Sequence, residues 1–275
     1  MSHTKNSCQS YTALFDLGRE AIDGRTFQNY LDWLRRTSEL FPGLIVFHDG
    51  QLEDLYFKNA KLIRVDRADL RSFSLLNDLK KVLIDFMPQA SNDITFRLPE
   101  YGLVQLSKFE LGCRVFDMTG ADSVLWVDAG ISRFLQGNTR KNKVDNFSSF
   151  LLDNNYKYFL EIDTRKNFDF LRVRLKRNEI GTSKRVVAGG AFWVSSQEIE
   201  SLNDLAMNCA EQWLELGIWD NEQMILREVL PNLEGKVLFY RKGREETGCV
   251  ARIMLTGAWK PKYWLNAIYS YALRK

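Results

Sequence analysis

The stretch Val124–Gly130, with the sequence Val-Leu-Trp-Val-Asp-Ala-Gly, decides the fold that this chain is expected to adopt. A run of apolar residues leads into one carboxylate, Asp128, and then into a glycine, which is typical of a buried strand presenting an acid at its carboxyl end. Ligands of open α/β sheets bind outside the carboxyl ends of the strands, so Asp128 is a candidate site residue. An aspartate that only ends a core strand fits the same pattern, and both interpretations stay open.

Helical and strand patterns alternate around this stretch. The segment from Tyr101 to Phe116 has an apolar face typical of an amphipathic crossover helix, formed by Leu103, Leu106, Phe109, Cys113 and Phe116. Earlier short apolar runs predict three strands, at Tyr11–Phe15, Leu44–Phe47 and Lys61–Val65. The alternation predicts one α/β domain over 11–275, with a Rossmann-type, mostly parallel central sheet flanked by helices and a disordered tail over 1–10.

Composition narrows the function classes. The 275 residues are 45% hydrophobic and 27% charged, with a formal net charge of +3, too small to indicate nucleic acid by itself. Four scattered cysteines and two histidines disfavour a disulfide framework, a zinc site and a Ser-His-acid triad. No dinucleotide-binding glycine motif, P-loop, signal peptide or 20-residue apolar span is visible, so the expectation is a soluble, cytoplasmic protein.

The second half of the chain contains two further motifs. A predicted strand over 186–194 carries Gly189 and Gly190 in its interior, which indicates that another backbone or a ligand passes close by. Glu222 lies in the first turn of a predicted helix, where acids commonly serve as caps or helix-dipole partners. A basic run over 165–185 can meet a pyrophosphate, an anionic acceptor or a membrane surface, but such runs are more often solvated faces.

Several segments together resemble glycosyltransferases of the GT-A type. Val124–Ile131 resembles the strand whose Asp-x-Asp pair holds a metal against the donor diphosphate, and Ala188–Gly190 resembles the strand lying against the donor sugar in glycogenin-like families. Glu222-Gln223 resembles their Asp-Gln helix start, and Gly257–Pro261 their C-terminal Gly-x-x-Lys-Pro. The bacterial HtrL/YibB family, associated with lipopolysaccharide and surface-glycan synthesis, is the nearest resemblance, through its Trp-x-Asp-Ala-Gly and Asp-x-Glu-Gln-like segments.

This resemblance implies a role for each matching residue. Asp128 would lie beside the donor ribose or diphosphate, and Glu222 near the anomeric carbon as base, nucleophile or oxocarbenium stabiliser. The predicted donor-binding set comprises Asp16, Arg19, Lys108, Asp128, Gly189, Gly190, Gln223 and Lys260. The implied partners are a UDP- or GDP-sugar donor and a glycan or lipid-linked acceptor, with peripheral contact to the inner face of the membrane and no nucleic acid.

The chain departs from the pattern at two metal ligands. Gly130 stands where the second metal aspartate is expected, and Met254 where a metal histidine is expected. Asp128 alone would then hold Mn²⁺ or Mg²⁺, although both ions favour several oxygen ligands. Either the substrate holds the metal, or cationic side chains replace it, with Lys108, Lys260 and Arg19 as candidates.

The sequence therefore predicts a glycosyltransferase that moves a sugar from a nucleotide donor to a cell-surface glycan or lipid-linked acceptor, as in lipopolysaccharide, O-antigen or capsule synthesis. The alternative is a non-catalytic protein with a sugar-nucleotide fold that has lost activity. A nucleic-acid-binding module built on the basic run is a third class, which no recognised motif accompanies.

Overall fold

The fold is an α/β sandwich. The computed structural model describes residues 6–50, 52, 57–86, 92–135, 143–162, 175–181, 187–241, 248–257 and 268–269. The strands are β1 Cys8–Leu14, β2 Leu44–His48, β3 Ala60–Arg64, β4 Ser123–Val127, β5 Tyr156–Ile162, β6 Val187–Ser195, β7 Lys236–Arg241 and β8 Ile268–Tyr269. The helices are α1 Glu20–Asp23, α2 Phe27–Leu40, α3 Leu76–Asp85, α4 Ile94–Arg97, α5 Pro99–Thr119, α6 Val144–Asp153, α7 Ile199–Glu215, α8 Glu222–Val229 and α9 Cys249–Thr256.

The strands form one sheet in the order β3-β2-β1-β4-β6-β5-β7-β8. Six of these eight strands run in one direction, while β6 and β8 are antiparallel to their neighbours, so the prediction of a mostly parallel sheet is confirmed. After β1 the chain continues to β2 and β3 on one side of the sheet, and after β4 it continues to β5 on the opposite side. Such a reversal of strand order opens a crevice at the carboxyl ends of the two central strands.

Helices cover both faces of the sheet. One hydrophobic cluster joins α3, α5, α7 and α8 to one face, and a second joins α2, α6 and α9 to the other. Strand β4 feeds both clusters because successive side chains of a strand point to opposite faces: Val124 and Trp126 join the first, and Leu125 and Val127 the second. The crossover helix expected before β4 is present as α5, and burial on both sides explains why its sequence is apolar around much of its circumference.

One sequence expectation needs correction. Strand β1 begins at Cys8 and pairs with β4 from Cys8 onward, so the tail predicted over 1–10 is wrong for Cys8–Ser10. The strand with the paired glycines, β6, runs antiparallel to β4, which the expectation of a mostly parallel sheet allows. No helix within the described ranges is long and apolar enough to cross a membrane.

Candidate ligand-binding cleft at Asp128

A cleft opens between the carboxyl ends of β1 and β4, at the point where the strand order reverses. Its walls come from the end of β1 and the loop after it, from α2, from the first turns of α5, and from the segment that follows β4. Asp128 and Trp126 line it on the β4 side. The fold thus places the carboxylate singled out by the sequence in a crevice of the type that binds ligands in α/β proteins.

Short hydrogen bonds fix the position of Asp128. Its backbone N–H donates to the carbonyl oxygen of Gly190 at 2.8 Å, which extends the β4–β6 pairing by one residue. The indole N–H of Trp126 donates to the Asp128 Oδ1 atom at 3.2 Å. Burial raises the pKa of Asp128 to about 6, against the opposing effects of Lys108, the Trp126 N–H and Arg133. The side chain is therefore mainly ionised at pH 7 and becomes protonated as the pH falls through about 6.

This raised pKa predicts a pH-dependent stability. The folded state holds the proton of Asp128 more tightly than the unfolded chain, whose pKa is near 3.8, so the free energy of unfolding should fall as pH rises between these values. Asp128→Asn removes this titrating group. The free energy of unfolding of the variant should therefore exceed that of the wild type by on the order of 1–2 kcal/mol between about pH 4 and pH 7. Urea unfolding across this range measures it, with the exposed Asp78→Asn as control. Parallel curves for wild type and Asp128→Asn would contradict the prediction.

The glycine pair of β6 lies beside this carboxylate because β6 is antiparallel to β4. The start of β6 therefore reaches the carboxyl end of β4, where Val127 pairs with Ala191. Its pairing with β5 is interrupted here, since Leu160 pairs with Phe192 but Glu161 with Ala188. A bulge thus frees the glycine segment from β5, as often occurs beside functional sites.

Both glycines adjoin candidate site residues, but at different distances. A Cβ atom on Gly189 would lie 2.1 Å from the Glu222 Oε1 atom and 3.0 Å from the Gln223 Cγ atom. A Cβ on Gly190 would lie 3.5 Å from the Asp128 Oδ2 atom, which is ordinary contact. The sequence predicted that a backbone or a ligand passes close to these glycines, and the groups that approach Gly189 are instead side chains of this chain.

Lys108 and Glu222 form a buried ion pair under the glycines. The Lys108 Nζ atom lies 2.9 Å from the Glu222 Oε1 atom and donates to the Gly189 carbonyl oxygen at 3.1 Å. The two side chains are only 1% and 3% exposed. The ammonium also lies 5.1 Å from the centre of the Trp126 ring, which links the pair to the residue that bonds Asp128.

This pairing changes the expectations for both residues. The ammonium of Lys108 is engaged inside the core, so the geometry gives no support to its predicted contact with phosphate. Glu222 is the first residue of α8, but Asn221 is the cap, since its side chain accepts from the backbone N–H groups of Gln223 and Met224. Glu222 is neither a solvent-exposed dipole partner nor a wall of the cleft, and the arrangement makes it the counter-ion of Lys108.

Arg19 and Asp16 follow β1, as the sequence predicted, but they differ in placement. Arg19 lines the cleft, with its guanidinium 4.5 Å from the ring centre of Tyr101 and 5.2 Å from that of Tyr30. Asp16 accepts a hydrogen bond from the backbone N–H of Gly18 at 3.1 Å, which shapes the turn that leads to Arg19. Asp16 thus has a local structural role. Lys260, the remaining predicted phosphate ligand, lies outside the described residues.

Sequence reasoning missed two further arginines of the cleft. Arg133 follows Gly130 by three residues, in the short helical turn after β4, and its guanidinium lies 4.2 Å from the ring centre of Trp33. Arg25 lies between α1 and α2 and is 46% exposed. Both belong to segments that follow the carboxyl ends of β1 or β4. Ligand-binding residues of α/β proteins commonly follow the carboxyl ends of the strands, and this rule was the sequence signal that pointed to both arginines.

The cleft does not fit the divalent metal that the family resemblance implies. In the part of the chain that the structure describes, no three His, Cys, Asp or Glu side chains are grouped to hold an ion. Asp128 is the one acidic residue among the described cleft walls, and its Oδ1 atom already accepts from Trp126. Met254, at the expected histidine position, is fully buried in the core around α9. One carboxylate is a poor ligand set for Mn²⁺ or Mg²⁺.

Comparisons with known proteins leave the family of this chain open. A scan against models of protein families gives no match, and a search of curated proteins gives no significant match.

The basic run over 165–185 falls largely outside the described residues, although Lys176 and Arg177 within it are exposed.

Proposed function

We propose that this chain is a glycosyltransferase of the GT-A type that transfers a sugar from a nucleotide donor to a cell-surface glycan or a lipid-linked acceptor. The observation that carries the proposal is a cleft at the reversal of strand order, with Asp128 among arginine and aromatic side chains. Guanidinium groups bind phosphate oxygens through paired N–H donors. The rings of Tyr30 and Tyr101 lie against the Arg19 guanidinium and hold it at the cleft wall.

Asp128 has the properties that the proposed reaction requires. A general base works best when its pKa lies near the operating pH, and burial brings that of Asp128 to about 6. Asp128 lines the cleft, and Gly190, which lies beside its Oδ2 atom, has no side chain to crowd a donor or acceptor hydroxyl there. The Trp126 N–H donates to the carboxylate, and the Gly190 carbonyl oxygen accepts from the Asp128 backbone N–H, so the residue needs little reorganisation on binding.

A second candidate function is a protein that binds a sugar nucleotide without transferring its sugar. The observation in its favour is the burial of Glu222, because the carboxylate expected near the anomeric carbon is instead paired with Lys108. Asp128 is then the one carboxylate that the described walls offer to a substrate. Both candidates predict that a nucleotide sugar binds, and only the transferase predicts turnover.

The test measures binding and turnover in the same preparations. Wild-type protein is titrated with a panel of UDP- and GDP-sugars by thermal shift, where a ligand at about 100 times its dissociation constant adds about 2.7 kcal/mol of stability. Donor hydrolysis and transfer are then measured for the sugars that bind. We expect Asp128→Asn to keep its fold and to lower turnover by about a hundredfold or more, while Asp78→Asn stays at the wild-type rate.

Each outcome distinguishes the candidates. Binding with turnover that depends on Asp128 supports a transferase. Binding without turnover by the wild-type protein favours the non-catalytic candidate. If no nucleotide sugar binds to the wild-type protein, both candidates fail.

A further inference from the structure

Aromatic rings hold Arg19 in a fixed position at the cleft. Its guanidinium lies against the rings of Tyr101 and Tyr30, and an ion pair with Asp23 joins it to α1. A planar guanidinium stacks on aromatic faces while its edge keeps N–H donors for other partners. Arg19 is thus pre-oriented before any ligand arrives, which reduces the conformational entropy lost on binding.

One donor of Arg19 lacks an acceptor. The side chain is 11% exposed, and its Nε atom is buried without a hydrogen-bond partner among the described residues. A buried donor without an acceptor is unfavourable. Because this Nε atom has almost no accessible surface, an anionic ligand oxygen in the cleft accepts from it only after the guanidinium shifts.

Arg133 provides a second guanidinium from the β4 side of the cleft. Its Nε atom donates to the carbonyl oxygen of Gly130 at 3.0 Å, and its plane lies over the ring of Trp33. Burial lowers the pKa of Arg133 from its ordinary value, but an arginine remains charged at neutral pH. The two arginines thus belong to the segments after β1 and β4, the two strands between which the crevice opens.

The charges of the described cleft walls favour an anion. Arg19, Arg25 and Arg133 contribute three positive charges, and Asp128 contributes one negative charge. Asp23, which pairs with Arg19 and Arg25, contributes a second negative charge, so the balance around the cleft is positive by one. A cleft that relied on a divalent cation would instead need more carboxylates than this one has.

We infer that Arg19 and Arg133 bind the diphosphate of the nucleotide donor directly, so that binding needs no divalent metal ion. The inference rests on the proposed function, since it assigns the groups that recognise its substrate. Both arginines then also neutralise the charge that develops on the departing nucleoside diphosphate. In this arrangement a preorganised pair of guanidinium groups takes the place of a metal ion.

Calorimetric titration with UDP and GDP tests the inference. Each probe is titrated into the whole chain in excess EDTA and again in excess Mn²⁺. We expect the dissociation constant of the better probe to agree within about twofold between the two conditions. Arg19→Gln and Arg133→Gln should each weaken binding by about ten- to a hundredfold in EDTA, as loss of a charge-assisted hydrogen bond predicts.

Two further variants separate a specific contact from charge and folding effects. Arg19→Lys keeps the charge but loses the planar stack, so it should bind less tightly than wild type and more tightly than Arg19→Gln. Arg114→Gln is the matched control, because Arg114 also forms a pair four residues apart, with Glu110 on α5, and does not line the cleft. Circular dichroism and thermal melting confirm that each variant is folded.

The outcomes separate the inference from the proposed function. A requirement for Mn²⁺, or wild-type affinity in both glutamine variants, would overturn the inference and leave the proposed function standing. Failure of the wild-type protein to bind UDP, GDP or any nucleotide sugar would remove the proposed function, and this inference with it. Metal-independent binding that both arginines support is the expected result.

Discussion

Glu222→Gln is expected to lower the free energy of unfolding by about 3–5 kcal/mol, because it leaves the buried ammonium of Lys108 without a counter-ion. Lys108→Met should cost a similar amount, since it leaves the carboxylate unpaired. The double variant Lys108→Met, Glu222→Leu removes both charges and should recover most of the loss. Urea unfolding of the wild type, Lys108→Met, Glu222→Leu and the double variant gives the coupling energy through a double-mutant cycle, and Glu222→Gln is measured beside them.

Glu200→Gln is the matched control for this prediction. Glu200 also lies in the first turn of a helix, α7, but it is exposed. Its replacement should cost only about 0.3–1 kcal/mol, the usual value of an exposed acid near a helix N-terminus. If Glu222→Gln were as mild as Glu200→Gln, Glu222 would be an ordinary helix-dipole partner and not the counter-ion of Lys108.

Gly189→Ala is expected to be destabilising by about 3–5 kcal/mol, whereas Gly190→Ala should cost less than about 1 kcal/mol. An added methyl group at Gly189 would lie 2.1 Å from the Glu222 Oε1 atom and 3.2 Å from the Lys108 Nζ atom, so the Glu222 carboxylate must move inside the buried ion pair to admit it. At Gly190 the nearest atom is 3.5 Å away and nothing has to move. Thermal and urea unfolding of the two variants measure the difference.

Adjacent glycines in one strand make this comparison internally controlled. The intrinsic preference of alanine over glycine in a strand acts on both variants and cancels between them. Equal stability of the two variants would show that Glu222 and Lys108 yield to a methyl group at low cost. That result would also weaken the first prediction, since a pair that moves so easily is not tightly held.

The sequence predicts those parts of the site whose signals are local. An apolar run that ends in an acid and a glycine was sufficient to place Asp128 after a buried strand, and the structure has β4 end at Val127. The apolar face from Leu103 to Phe116 predicted the helix before it, which runs from Pro99 to Thr119. Such patterns are reliable because the period of side-chain burial follows directly from local backbone geometry.

The direction of β6 could not be obtained in this way. A run of apolar residues with two glycines has the same appearance whichever direction the strand takes in the sheet. Yet only the antiparallel direction brings Gly189 and Gly190 to the carboxyl end of β4 and hence to Asp128. The family resemblance assigned each of the two segments to the donor site separately, and strand periodicity alone does not bring them together.

The ion pair between Lys108 and Glu222 was missed for a related reason. Each residue was a candidate for substrate contact, and each has an unremarkable local setting, a lysine within a helix and an acid at a helix start. Their pairing depends on the packing of α5 against α8 and β6, which no short window of sequence reports. Lys108 lies between Val104 and Leu111, both buried, and this placement was the one local sign that it belongs to the core.

The separation of these two residues along the chain has a consequence for biosynthesis. Lys108 and Glu222 are 114 residues apart, and ribosomes add about 5–20 residues per second, so Glu222 is made about 6–23 s after Lys108. During that interval α5 can form, but the buried ion pair cannot, because the β6 carbonyl and the α8 carboxylate that Lys108 contacts are not yet made. We therefore expect completion of the core around Lys108 to follow the synthesis of α8.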